Sequence, residues 1–138
     1  NGNNAIYLQM RNSGSTVTGS NYRGILNHPH FSASGTYSHN MHGYWDDDKH
    51  KIHGGSSTNG HIVSAMGGKI LFPYGDNIST YNQIHFKTFS QETSTTGQYN
   101  VMDGAGIYNG YQQYDGFRIY GAAGTFAEGE YTVIGYKQ

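Results

Sequence analysis

The sequence predicts an all-β fold, a two-sheet antiparallel β-sandwich of jelly-roll-like architecture, and three observations lead there. The 138 residues include thirteen tyrosines and 21 glycines but only two prolines, a composition of short strands joined by polar turns. Apolar and polar residues alternate with period two in several stretches, which puts one face of each against a core. No window of helical length carries a 3.6-residue apolar stripe with caps.

The first alternating stretch is 5–11, with Ile6, Leu8 and Met10 on one face and Tyr7, Gln9 and Arg11 on the other. A polar loop rich in Ser and Gly is expected over 12–21, then a strand at 22–26. Strands are expected at 36–44 and 50–53 around an acidic turn, and a Gly-Ser loop at 54–60. Two short apolar strands, 62–65 and 69–72, flank Gly67-Gly68 as a tight turn. Further strands are expected at 84–89, 99–102 and 106–108. The chain then predicts a closing hairpin, 116–120 with 131–136, in which Phe117 and Ile119 face the core and Phe126 plugs the end of the sandwich.

Length fits a single domain spanning 1–138, with enough chain to bury a core. The opening Asn1-Gly2-Asn3-Asn4 has no initiator Met, so the expectation is a processed chain or the C-terminal module of a longer one. There are no cysteines, and the net charge is −1 with 12% charged residues. Thiol chemistry is excluded, and no basic field exists for nucleic acid. No run approaches a membrane span, so no membrane insertion is expected.

The closing segment, Phe126-Ala-Glu-Gly-Glu-Tyr-Thr-Val-Ile-Gly-Tyr-Lys137, resembles the C-terminal β-sandwich modules of tailed-bacteriophage virion proteins such as fibre heads, knobs and appendages. The last strand of those modules often ends in Tyr-Gly-Ile, where this chain has Ile134-Gly135-Tyr136. Tyr81-Asn82-Gln83-Ile84-His85-Phe86 is similar to the strand leading into their closing hairpin. Tyr7 to Asn12 and Ser20-Asn21-Tyr22 are similar to their opening strand and turn. The resemblance implies a non-enzymatic virion protein on the exterior of the particle. It would be a tail-fibre or knob head that binds host-surface polysaccharide, or a capsid or tail decoration module held by other virion proteins. Such appendages repeat by symmetry, and a homo-oligomer, a trimer, is the expected state.

Three sets of residues could carry chemistry. Seven of the eight histidines lie between positions 28 and 61. Among them His28-Pro29-His30 places two imidazoles on one side of a strand about 7 Å apart, a ligand pair suited to a transition metal, as on fibre tips where such pairs meet on a threefold axis. The plainer reading is two surface histidines. Asp46-Asp47-Asp48 offers hard oxygens to calcium, without the spaced loop that wraps the ion, and a solvated turn balanced by Lys49 and Lys51 is the plainer reading. No cofactor is therefore expected unless one of these sites binds a metal.

The third set is a glycan surface. Tyr44, Trp45 and Asp46 form one candidate group, and Tyr111, Tyr114 and Asp115 another. Aromatic faces stack on pyranose rings while Asp accepts from hydroxyls, and Tyr gives large contact area at little entropic cost. The competing role for these tyrosines is to fill the sandwich or a subunit interface. Catalysis has no Cys nucleophile and no Gly-x-Ser-x-Gly elbow to rest on. An alternative function is a carbohydrate-binding module of a secreted bacterial polysaccharide-active enzyme. A cupin-like metalloenzyme would need three or more convergent histidines.

Overall fold

The computed structural model describes residues 5–31, 35–53, 63–73, 82–92, 99–110, 114–122 and 129–134. Among these the chain is all-β, with nine strands in two antiparallel sheets packed face to face. The strands are β1 (Ile6–Asn12), β2 (Ser15–Thr16), β3 (Tyr22–Phe31), β4 (Tyr37–Asp47), β5 (His50–His53), β6 (Val63–Leu71), β7 (Asn82–Glu92), β8 (Tyr99–Tyr108) and β9 (Gly116–Gly121).

The larger sheet runs β4-β3-β8-β7-β6. In the smaller sheet β9 pairs with β1 from Ile6 to Arg11, so β5 and β2 share the other edge, β5 against Ile6–Leu8 and β2 against Arg11–Asn12. The nested pairs β1/β9 and β3/β8 wrap as in a jelly roll, and β6, β7 and β8 form a meander. The core lies between the sheets and is built from Ile6, Leu8, Met10, Tyr22, Leu26, Ile52, Ile84, Phe86, Met102 and Tyr108. Phe117 and Ile119 pack against it from β9, as expected from their alternation, and Phe117 stacks on Phe72 with ring centroids 5.2 Å apart.

The gap between β2 and β5 on the edge of β1 is closed from the opposite sheet. Tyr22, fully buried, sends its hydroxyl across to accept from the Met10 amide (3.0 Å) and donate to the Val17 carbonyl (2.9 Å). This satisfies two backbone groups that would otherwise be buried without partners.

Several expected elements differ. Gly67-Gly68 makes no turn, and β6 runs straight through it. A Cβ on Gly67 would collide with the Phe89 ring and one on Gly68 with the Lys87 carbonyl, so the pair serves close approach by β7. The strand expected at 22–26 runs on through Pro29 to Phe31. The polar loop after β1 contains a tight hairpin in which Ser13 and Gly14 both take positive φ (50° and 75°), as a mirror-image turn requires. The closing hairpin is not formed among the described residues. Residues 129–134 are in no strand, and Tyr131, Val133 and Ile134 are 86%, 71% and 69% exposed. Apolar alternation there is not matched by a partner strand, so the pattern alone did not bury it. Phe126 lies outside the described residues.

Candidate functional site

Among the described residues, three histidines of the His-rich stretch, His28, His50 and His53, are buried, while His39 is exposed. On β3, Leu26, His28 and His30 face inward, and their neighbours on β4 are His42, Asn40 and Ser38. His28 and His30 do share one side of the strand, with ring centroids 4.9 Å apart, and His42 stands 6.3 Å from His28. His28 is buried and shares a 3.0 Å hydrogen bond with Asn100 Oδ1, while burial lowers its affinity for a proton. His30 Nδ1 is buried with no hydrogen-bond partner. Among the described residues no three His, Asp or Glu side chains gather as a metal-ligand set.

From the other sheet β5 adds His50 and His53, 0% and 1% exposed. Simple alternation would point His53 outward with Lys51. A bulge opposite Ile6 and Tyr7 shifts the register, so that His53 stands against Ile6 while His50 stands against Leu8. His53 Nδ1 lies 3.0 Å from Thr88 Oγ1, and its Nε2 lies 2.6 Å from Ser90 Oγ. The single Thr88 proton goes to the Ile52 carbonyl (2.8 Å). Thr88 therefore accepts from His53, which fixes a neutral ring protonated at Nδ1 that accepts at Nε2 from Ser90. Burial pushes the His53 pKa down to about 4 and that of His50 to about 3.

Tyr44 belongs to this interior and not to the surface. Its hydroxyl shares a 2.7 Å hydrogen bond with His50 Nδ1, and burial raises its pKa above the usual phenol range. Room for both comes from Gly24 and Gly106, which are partners across β3 and β8. A Cβ on Gly106 would lie 2.6 Å from the His50 ring and 2.8 Å from the Tyr44 hydroxyl, and one on Gly24 would also collide with that hydroxyl. Gly106→Ala is expected to lower stability by about 1–3 kcal/mol, the usual cost of overpacking, read as a lower urea midpoint. The paired change Gly106→Ala with Tyr44→Phe should recover part of it.

The remaining glycan candidates divide. Tyr114 packs edge-on against Tyr108 at 5.5 Å, and Asp115 accepts from the Ser13 amide (2.7 Å), capping the β1–β2 turn. Tyr111 lies outside the described residues. Trp45 and Asp46 are exposed and adjacent at the edge of β4, with Trp45 71% exposed. Asp46 has φ +56°, in the left-handed region, next to the irregularity where the β3–β4 register shifts.

Two residues that sequence reasoning did not single out complete this corner. The Arg23 guanidinium lies over the Trp45 ring at 3.8 Å and reaches Asp46 Oδ1 through Nε (3.1 Å) and Nη2 (2.9 Å). With its amide turned to present oxygen, Asn109 accepts from both terminal nitrogens of Arg23 (3.2 and 3.3 Å). The only signal for Arg23 was its place on the outward face of an alternating strand. The neighbouring carboxylates are held by a cation, since Lys49 pairs with Asp48 and lies 3.6 Å from Asp47. The Lys49 contact keeps the Asp48 carboxyl below the ordinary carboxylate range.

The chain matches no family model, no curated protein and no solved structure.

Proposed function

We propose that the protein is a non-enzymatic tailed-bacteriophage virion module, carried on the particle exterior as a fibre or knob head, and that it engages host-surface glycan at the Trp45 corner. The observation that carries the binding part is the exposed indole. Arg23 covers one face of Trp45, and an exposure of 71% leaves the other to solvent. An indole face of that kind stacks on the apolar face of a pyranose ring, while the Asp46 carboxylate and the Arg23 guanidinium stand within reach of its hydroxyls.

The test uses the one tryptophan in the chain. Titration with polysaccharide purified from a bacterial surface should shift its fluorescence to shorter wavelength as sugar displaces water. Trp45→Ala should weaken retention on polysaccharide-bearing cells about tenfold or more, equivalent to roughly 1.4 kcal/mol or above. Unchanged fluorescence with a panel of such polysaccharides, and equal retention of the variant, would sink the glycan reading.

A second reading, a capsid or tail decoration module, is favoured by a different observation. The outer face of the larger sheet exposes Ile25, Phe31, Met41, Leu71, Phe89 and Tyr99, each more than half accessible. Large exposed apolar faces of this kind mark contact with other proteins.

A further inference from the structure

We infer that the outer face of the five-stranded sheet is a self-association surface, closed by a second copy of this chain laid against it face to face. The inference does not rest on the glycan reading, concerns a different part of the sheet, and puts a two-fold association in place of the trimer that the resemblance to virion appendages implies.

The face is laid out in rows across the strands. Tyr37, Phe31 and Tyr99 are successive partners and form an aromatic row, with Phe31 and Tyr37 in ring contact at 5.4 Å. Two rows further along the strands, Asn27, Asp103, Lys87 and Lys69 form a polar row. The next row is apolar again at Ile25, Ala105 and Leu71, broken by His85. A strip of mixed charge thus lies between two apolar bands, the arrangement of a surface that needs a partner and registers it by charge.

Two considerations select a second copy as that partner. The first is area. The four strands β3, β8, β7 and β6, at about 4.8 Å spacing and with about 30 Å of strand length, give a face of roughly 600 Å², at the lower end of what each partner contributes to a standard stable interface. The second is charge. Asp103 and Lys87 are neighbours on β8 and β7. A copy turned by half a rotation about an axis running along the strands between them sets each lysine opposite the other copy's aspartate. The same turn sets Asn27 opposite Lys69, so no like charges meet. The face carries both signs in this one row, which suits a surface that meets itself and gives no basis for choosing a strongly acidic or basic partner.

The experiment is sedimentation velocity on the full chain across a dilution series. The expected mass is twice the 15.2 kDa of the chain, falling to the monomer on dilution. Ile25→Lys and Phe89→Glu change residues that are each 60% exposed, so folding should be retained, as checked by far-ultraviolet circular dichroism, and the pair should dissociate. Lys87→Asp alone should weaken association, and Lys87→Asp combined with Asp103→Lys should restore it. A monomer at every concentration, a threefold mass, or a dimer indifferent to all of these variants would overturn the inference. Trp45 fluorescence with polysaccharide, read on the same dissociated variants, reports on the glycan reading alone.

Discussion

Replacing Tyr22 by alanine should cost about 4–5 kcal/mol or more, enough to unfold a domain of ordinary stability. The side chain is completely buried and meets His50 and Tyr108 edge-on, each at 4.8 Å. Its loss removes a large apolar volume and, at the same time, the hydroxyl that serves Met10 and Val17 in the opposite sheet. Tyr22→Phe separates the two contributions. It keeps the ring and leaves one amide and one carbonyl short of a partner, so the expected loss is about 1–3 kcal/mol. Both values come from urea unfolding. A loss below about 1 kcal/mol for the alanine variant would mean that Tyr22 does not bridge the sheets.

The second large effect is acid instability. His50 and His53 are neutral when folded, with pKa values pushed down to about 3 and about 4, against an ordinary 6.5. The unfolded chain therefore binds protons that the folded chain refuses as the pH falls below 6.5. Their contribution to stability is fully present above that value and is lost progressively towards pH 4 and then 3. At about 1.4 kcal/mol per pKa unit, His53 alone accounts for roughly 3 kcal/mol over its window. Charging it would also force Nε2–H against Ser90 Oγ, whose own proton would have to turn away. Unfolding free energies measured at pH 7.5, 5.5 and 4.5 should fall steeply, and the fall should be shallower in His53→Gln. A flat profile over that range would show that these rings are solvated.

Much of this architecture was legible in the sequence. The alternation at Ile6, Leu8 and Met10 and at Phe117 and Ile119 named the correct faces of β1 and β9, because a half-buried strand leaves no other way to segregate apolar residues. The same rule put His28 and His30 on one side. What it did not give was which side of β3 faces the core, and hence that the pair is interior. His53 was beyond reach for a different reason. One extra residue in β5 reverses the outward phase, and a bulge leaves no residue-type signature in His50-Lys51-Ile52-His53. Gly67-Gly68 misled because glycine serves both a turn and a close approach, and only the Phe89 ring on the next strand decides between them. Of the surface corner, Trp45 and Asp46 were readable from their composition. Arg23, more than twenty positions earlier, joins them only through the pairing of β3 with β4.

Gly24, Tyr44, His50 and Gly106 together form one small notch in which two missing side chains make room for two rings. No member of this quartet can grow unless another shrinks. Divergence at these four positions is therefore constrained as a set, while the polar turns around them are free to drift. A distant relative would keep that size relation, two glycines facing each other across β3 and β8 beneath an aromatic and an imidazole, after resemblance elsewhere along the chain had faded.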